Sequence, residues 1–299
     1  MRFDWIYDND RQQLLRDFIR DKELPRKFMT SVKYHGGKIL VNDKEVTVRY
    51  SLQTGDQVSI VPPIEVGHDT VAPSFKKIDV VYEDRDILIV NKPSQVVSIP
   101  SVKAPDTSMA NRIKGYYVSQ NYDDQVIHIV TRLDRDTSGL MLIAKHRLAH
   151  AFFDRQLQEK TLNKKYLAVS SRVDWPEEHG MIDKPIARHP ESIIQRITDP
   201  SGQDALTEYS VKERMQQSSL LELQLHTGRT HQIRVHLTSE GGSLIGDSLY
   251  GPDEQPMSRQ ALHCYQLSFI HPFTHQQMTI TQSMPQDMLE WCQQDRGGK

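Results

Sequence analysis

The chain has 299 residues, with 37 Lys and Arg against 39 Asp and Glu, a formal net charge of −2, 37 % hydrophobic and 25 % charged residues. No apolar run approaches the roughly 20 residues that cross a bilayer, and Met1-Arg2-Phe3-Asp4-Trp5 lacks the apolar core of a signal peptide. Two cysteines, Cys264 and Cys292, argue against a disulfide framework, so a reducing cytoplasm is the expected compartment. The length suits one large domain or a large and a small one. Net charge alone would not suggest a nucleic-acid partner, but binding needs only a local basic surface. Basic residues gather at Arg132/Arg135, Lys164/Lys165 and Arg229/Arg234.

Leu14, Leu15, Phe18 and Ile19 stand at helical spacing, which predicts a helix over 11–20. Leu24-Pro25 interrupts the pattern. A second short helix is expected to begin at Val32 and to end at Gly36-Gly37. Residues 39–46 read as strand, turn and strand, and 52–60 as a turn and a closing strand. The proline- and glycine-rich stretch that follows reads as a linker. The expected division is therefore a small unit over 1–63, a linker over 64–75 and a main domain over 76–299. Strands at 78–82 and 87–90 form a hairpin pattern. Further strands are expected at 126–130, 140–144, 166–169, 207–212, 219–225, 263–269 and 278–281, with helices at 107–117, 149–158 and 231–240. Many short strands with few helices predict an α+β fold around a mixed, largely antiparallel sheet.

The densest chemical signal is Thr131-Arg132-Leu133-Asp134-Arg135-Asp136-Thr137-Ser138-Gly139. It alternates cations with carboxylates between two strand-like apolar runs. Charges held between core strands need partners, because a lone buried charge is costly. A carboxylate clamped by arginine is one arrangement that satisfies them.

This stretch resembles the active-site motif of RluA/RluD-type pseudouridine synthases, His-Arg-Leu-Asp-x-x-Thr-Ser-Gly. Lys164-Lys165-Tyr166-Leu167-Ala168, the run from His226 to Leu237 with Gly246-Asp247 and Tyr250-Gly251 after it, and Asn91-Lys92-Pro93 resemble further segments of the same family, in the same order. Residues 1–63 resemble the small RNA-binding module first seen in ribosomal protein S-four, with Asp43 where the hairpin glycine is common. Two more departures are Thr131 in place of the family's histidine and Gln95 in place of a glycine.

The resemblance implies isomerisation of uridine to pseudouridine. The uracil leaves the sugar through its nitrogen, turns over and is re-attached through carbon 5. Such a reaction requires a carboxylate, a cation to keep it ionised, a dry pocket and a base for the carbon-5 hydrogen. It calls for no cofactor and no metal. Asp134 is then the essential carboxylate, as nucleophile at the sugar or as base, with Asp136 as its rival. On an extended strand both carboxylates would face one side; on a turn they would diverge. Arg234 is the expected ion-pair partner of Asp134, Tyr166 the group that stacks on the uracil, and Arg132 the residue that fills the gap left by a flipped nucleotide. Arg135, Lys164, Lys165, Arg229, His231 and Gln232 are expected to contact RNA. His226, His231 and His236 recur every five residues, which puts them on no common face, so a metal site is not expected. The expected substrate is structured large-subunit ribosomal RNA, with transfer RNA as the second choice, bound by a monomer. A different class of protein, a non-catalytic RNA-binding or ribosome-assembly factor, would share the RNA binding but not the turnover.

Overall fold

The computed structural model describes residues 1–65, 71–101, 105–254 and 256–297. Of the expected linker, residues 66–70 lie outside the described residues.

The N-terminal unit is a four-stranded antiparallel sheet ordered Phe3–Ile6, Gln57–Val61, Lys38–Val41, Lys44–Glu45, packed on two helices, Leu15–Asp21 and Arg26–Tyr34. Leu15, Phe18, Phe28 and Val32 fill the space between helices and sheet. Asn42 and Asp43 take φ of +49° and +62° at the hairpin. Both residue types tolerate this left-handed region, so aspartate serves where glycine is common. The second helix differs from expectation, since it starts at Arg26 and Val32 is near its end. Pro25 stands immediately before its first turn, where a missing N–H costs nothing. The edge strand Phe3–Ile6, too short to show a period, was not predicted.

The second sheet has ten strands. Its main path runs His179–Asp183, Leu206–Arg214, Ser219–Leu225, Asn163–Ser170, Leu262–Ile270, Ser138–Ala144, Ile87–Lys92, Asp79–Glu83. Gln277–Thr281 pairs with Leu262–Ile270, and His128–Ile129 with Ser138–Ala144. All pairings are antiparallel except Ser138–Ala144 beside Leu262–Ile270. This mixed, largely antiparallel sheet is the α+β arrangement the sequence predicts. Ser138–Ala144 is buried along its whole length, as a central strand with the apolar run 140–144 must be, and Ser138 meets His263 at 2.9 Å. The strand expected at 126–130 shrinks to two residues. The helix expected at 107–117 runs Met109–Ser119 and is opened by a reciprocal Ser108/Asn111 capping box. The C-terminal helix Gln286–Asp295 was not predicted, because its buried side is little more than Met288 and Cys292.

The two sheets meet through aromatic contact. Phe3 stacks on Phe273 with centroids 5.3 Å apart, and the Arg85 guanidinium lies over both rings, 5.3 and 5.1 Å from their centres. Beneath them Asp86 pairs with His146 at 3.0 Å and Asp84 with His271 at 2.9 Å. Asp84, Asp86 and His271 bring ligand-type atoms within 4.8 Å of one another. Asp84 is also tied to the Asp86 and Ile87 N–H groups and to the Tyr82 hydroxyl, and Asp86 to Arg85, so these groups read as a hydrogen-bonded junction.

Candidate active site

Residues 131–137 leave the sheet between His128–Ile129 and Ser138–Ala144, and the fold fastens them at several points. Thr131 Oγ1 accepts the Leu142 N–H at 2.9 Å, a tie that a hydroxyl makes well at this otherwise divergent position. Ser98 brackets Leu133, donating to its carbonyl at 2.7 Å and accepting its N–H at 3.0 Å. The Asp134 carbonyl accepts the Thr137 N–H at 3.2 Å, which closes a turn. Lys92 is fully buried, and its ammonium donates to the carbonyls of Pro93 (2.8 Å), Val96 (2.7 Å) and Arg135 (2.9 Å). Burial pushes Lys92 down to about 7 against the pull of Asp136 and Asp134. Gly139 follows with φ +117°, and a Cβ there would stand 2.3 Å from the Cys264 carbonyl oxygen. Only glycine lets the parallel neighbour approach so closely.

Lys92→Met leaves these carbonyls short of a donor in a dry site. It is expected to cost about 2–3 kcal/mol, read as a lower urea midpoint, with a fall in turnover as the turn loosens. Gln95 holds φ +63° in the same loop, which explains why glycine is usual there. Gln95→Gly relieves that strain and is expected to stabilise the protein by about 0.5 kcal/mol, after subtracting glycine's extra freedom in the unfolded chain. Urea unfolding checks both.

The turn forms one wall of a narrow pocket of about 90 Å³, with Tyr166, Lys164, Leu225, Leu262 and the segment 228–234 around it. Asp134, about 30 % exposed, lines it. Asp136 does not, because on a turn the two carboxylates diverge and Asp136 is taken by Arg135 at 2.8 Å. Tyr166 and Lys164 come from alternate positions of Asn163–Ser170 and therefore face the same side. A bulge in the neighbouring strand, where Lys165 pairs with Gln266 but Tyr166 with Cys264, sets the pairing at this point. Burial, helped by Cys264 and Asp134, holds the Tyr166 phenol well above its ordinary value. It stays protonated and can stack or donate rather than act as a base.

Arg234 makes the expected ion pair with Asp134, but another anion holds it more closely. Its main partner is Asp247, which is fully buried and takes Nε and Nη2 at 2.8 Å each. Asp134 Oδ2 is 3.7 Å from Nη1. Although burial opposes its charge, Asp247 and Asp134 together hold the Arg234 guanidinium above its ordinary value. Asp247 in turn accepts the Leu249 and Tyr250 N–H groups at 3.0 and 3.2 Å. In the sequence Gly246-Asp247 stands as a shared motif with no role attached to its aspartate. The signal was there, since an arginine buried beside a half-exposed carboxylate needs a second anion.

The other expected RNA contacts separate. Arg132 is exposed, lines the pocket, and has no hydrogen bond or ion pair among the described residues. Arg229 is exposed at the rim and donates to the Asp204 carbonyl at 3.0 Å. Arg135 is exposed on an adjoining groove. Lys165 faces the other side of the sheet and pairs with Glu222 at 3.2 Å. Gln232 is buried, and its amide is spent on Thr227, Arg229, Leu206 and Thr207, so it braces the loop instead of facing RNA. His231, expected inside a helix, precedes the helix Gln232–Ser239 with φ +58° and stands 4.0 Å from Asp134.

A family model described as RNA pseudouridylate synthase matches residues 86–239. The uncharacterized RNA pseudouridine synthase YjbO of Bacillus subtilis (strain 168) is 41 % identical over 275 residues, covering 92 % of this chain and 96 % of its own. Ribosomal large subunit pseudouridine synthase D of Escherichia coli (strain K12) is 35 % identical over 268 residues, covering 85 % of this chain and 81 % of its own. The fold is shared with a solved structure, human RNA pseudouridylate synthase domain containing 4 (TM-score 0.61, 20 % identity, 73 % of this chain and 93 % of that one). The chain belongs to the RNA pseudouridine synthase family. It is an isomerase that converts uridine to pseudouridine in RNA.

Proposed function

We propose that this enzyme modifies uridine in large-subunit ribosomal RNA and that Asp134 is its catalytic carboxylate, as nucleophile at the sugar or as base. The observation that carries the second part is that Asp134 lines one pocket together with Tyr166 and Arg234, with the Arg234 guanidinium 3.7 Å from its carboxylate. The relative acting on the large ribosomal subunit supports the first part. The glycosidic nitrogen–carbon bond breaks, a carbon–carbon bond forms at the same sugar carbon, the carbon-5 proton is lost and the freed ring nitrogen takes one up, so the change is a net isomerisation that needs no oxidant or reductant.

The RNA strand runs through two grooves flanking the pocket. One, of about 590 Å³, is lined by segments 97–101 and 129–135 with Lys164; the other, of about 420 Å³, by Arg188, Arg196 and segment 201–203. Residues Gly228, Arg229 and Thr230 border both. Arg132, unpartnered between pocket and groove, fills the stack when the target nucleotide flips, which offsets part of an unstacking cost of a few kcal/mol. The N-terminal unit over 1–63 adds grip on RNA, and the protein works as a cytoplasmic monomer.

The test uses ribosomal and transfer RNA, each unmodified and carrying tritium at uracil carbon 5. Tritium release from ribosomal RNA by the native protein, absent with Asp134→Ala, supports the reading. Release only from transfer RNA moves the substrate. Release by Asp134→Ala at the native rate removes Asp134 from the chemistry. Binding of either RNA without any release points to the assembly-factor reading.

A further inference from the structure

The segment around Asp134 contains a hydrogen-bond chain whose proton order can be deduced. Tyr250 Oη accepts the Arg196 backbone N–H at 2.8 Å and lies 2.9 Å from His231 Nδ1. Among the described residues no other acceptor is within reach of the Tyr250 proton. The phenol therefore donates to Nδ1, and a neutral His231 must carry its own proton on Nε2. Nε2 is the ring nitrogen that faces Asp134, 4.0 Å from Oδ2. Burial, reinforced by Arg234, lowers His231 despite the pull of Asp134, so the neutral ring is the working form. His231 is also held at φ +58°, in the left-handed region that side chains seldom adopt. Such a conformation persists where surrounding contacts over-determine it. Its ring meets that of Tyr250 edge-on, with centroids 5.6 Å apart.

From this arrangement we infer that Tyr250 and His231 form a positioning dyad for the reaction. Tyr250 fixes the His231 tautomer, and the His231 Nε2–H directs Asp134. Arg234 and His231 both make their nearest approach to Oδ2. The dyad therefore reserves one carboxylate oxygen for the protein and leaves Oδ1 for the ribose. At 4.0 Å the Nε2–H contact is longer than a hydrogen bond; it closes when RNA fills the pocket, as catalytic contacts commonly do on substrate binding. Arg196 also lines one of the two grooves, so the chain runs from the RNA path to the carboxylate. This inference rests on the proposed role of Asp134.

The test combines kinetics with nitrogen NMR of histidine-labelled protein. Tyr250→Phe is expected to lower kcat roughly tenfold or more with KM little changed, as for other residues that orient a reacting group. His231→Leu is expected to do at least as much. His231→Gln, whose amide can accept from Tyr250 and donate toward Asp134, is expected to recover most of the loss. In the native protein, Nδ1 should resonate as an unprotonated nitrogen and Nε2 as a protonated one, and Tyr250→Phe should shift that balance. An unchanged kcat in Tyr250→Phe, or a proton on Nδ1 in the native protein, overturns the dyad. Native-rate turnover by Asp134→Ala overturns the reading beneath it, and the dyad's role with it, whatever the NMR shows.

Discussion

Asp134→Asn is expected to lower turnover at least ~10³-fold while leaving RNA affinity within about threefold. The substitution keeps the shape of the side chain and removes its charge, and with it both roles the carboxylate could play, attack at the sugar or removal of a sugar proton. The turn should survive, because Ser98, Lys92 and Thr131 hold its backbone and the bonds they make do not involve the Asp134 side chain. RNA affinity should survive because it is set by exposed cations such as Arg132 and Arg229 and by phosphate neutralisation. Single-turnover tritium release and filter binding across a salt series provide the two readouts. Native-like turnover, or a change in the salt slope of binding, would show that the residue acts otherwise.

Asp247→Ala is expected to damage stability and activity together. Asp247 is fully buried and holds the Arg234 guanidinium through two 2.8 Å bonds. Removing one member of a buried pair leaves the other charge unpaired, at a cost of about 3–5 kcal/mol. At roughly 2–4 °C per kcal/mol, the melting temperature should fall by about 10 °C. The N–H groups of Leu249 and Tyr250 lose their acceptor as well, which loosens the residue that contacts His231. Arg234, no longer held back, is drawn onto Asp134 from its present 3.7 Å and occupies the carboxylate the substrate needs. The activity loss should therefore persist at temperatures where the variant is fully folded. A double variant, Arg234→Leu with Asp247→Leu, separates the effects: stability should largely return and turnover should not. Full activity in folded Asp247→Ala would mean that Arg234 needs no second anion.

The legible parts of this protein are those written in local pattern. The all-apolar run 140–144 marks the central strand, and the alternation of cation and carboxylate before it marks a candidate site, but that this stretch turns at Asp134 instead of running on as a strand is decided by the fold. The i, i+2 spacing of Lys164 and Tyr166 put both on one face, whereas Lys165 belongs to the other, which the shared family motif did not reveal. The N-terminal edge strand and the C-terminal helix escaped notice because one is four residues long and the other buries few apolar residues.

By itself the sequence determined the fold class, the family and the small set of residues that converge on the pocket. It could do so because periodicity and motif order depend on residues near one another in the chain. The tertiary structure alone decided the partners. Arg234 belongs first to Asp247, Lys92 reaches across to the Arg135 carbonyl, Gln232 is a brace, and Tyr250 dictates the proton position on His231. Each of these depends on which charges and donors burial leaves to one another, and that is settled only when distant strands close around the same small pocket.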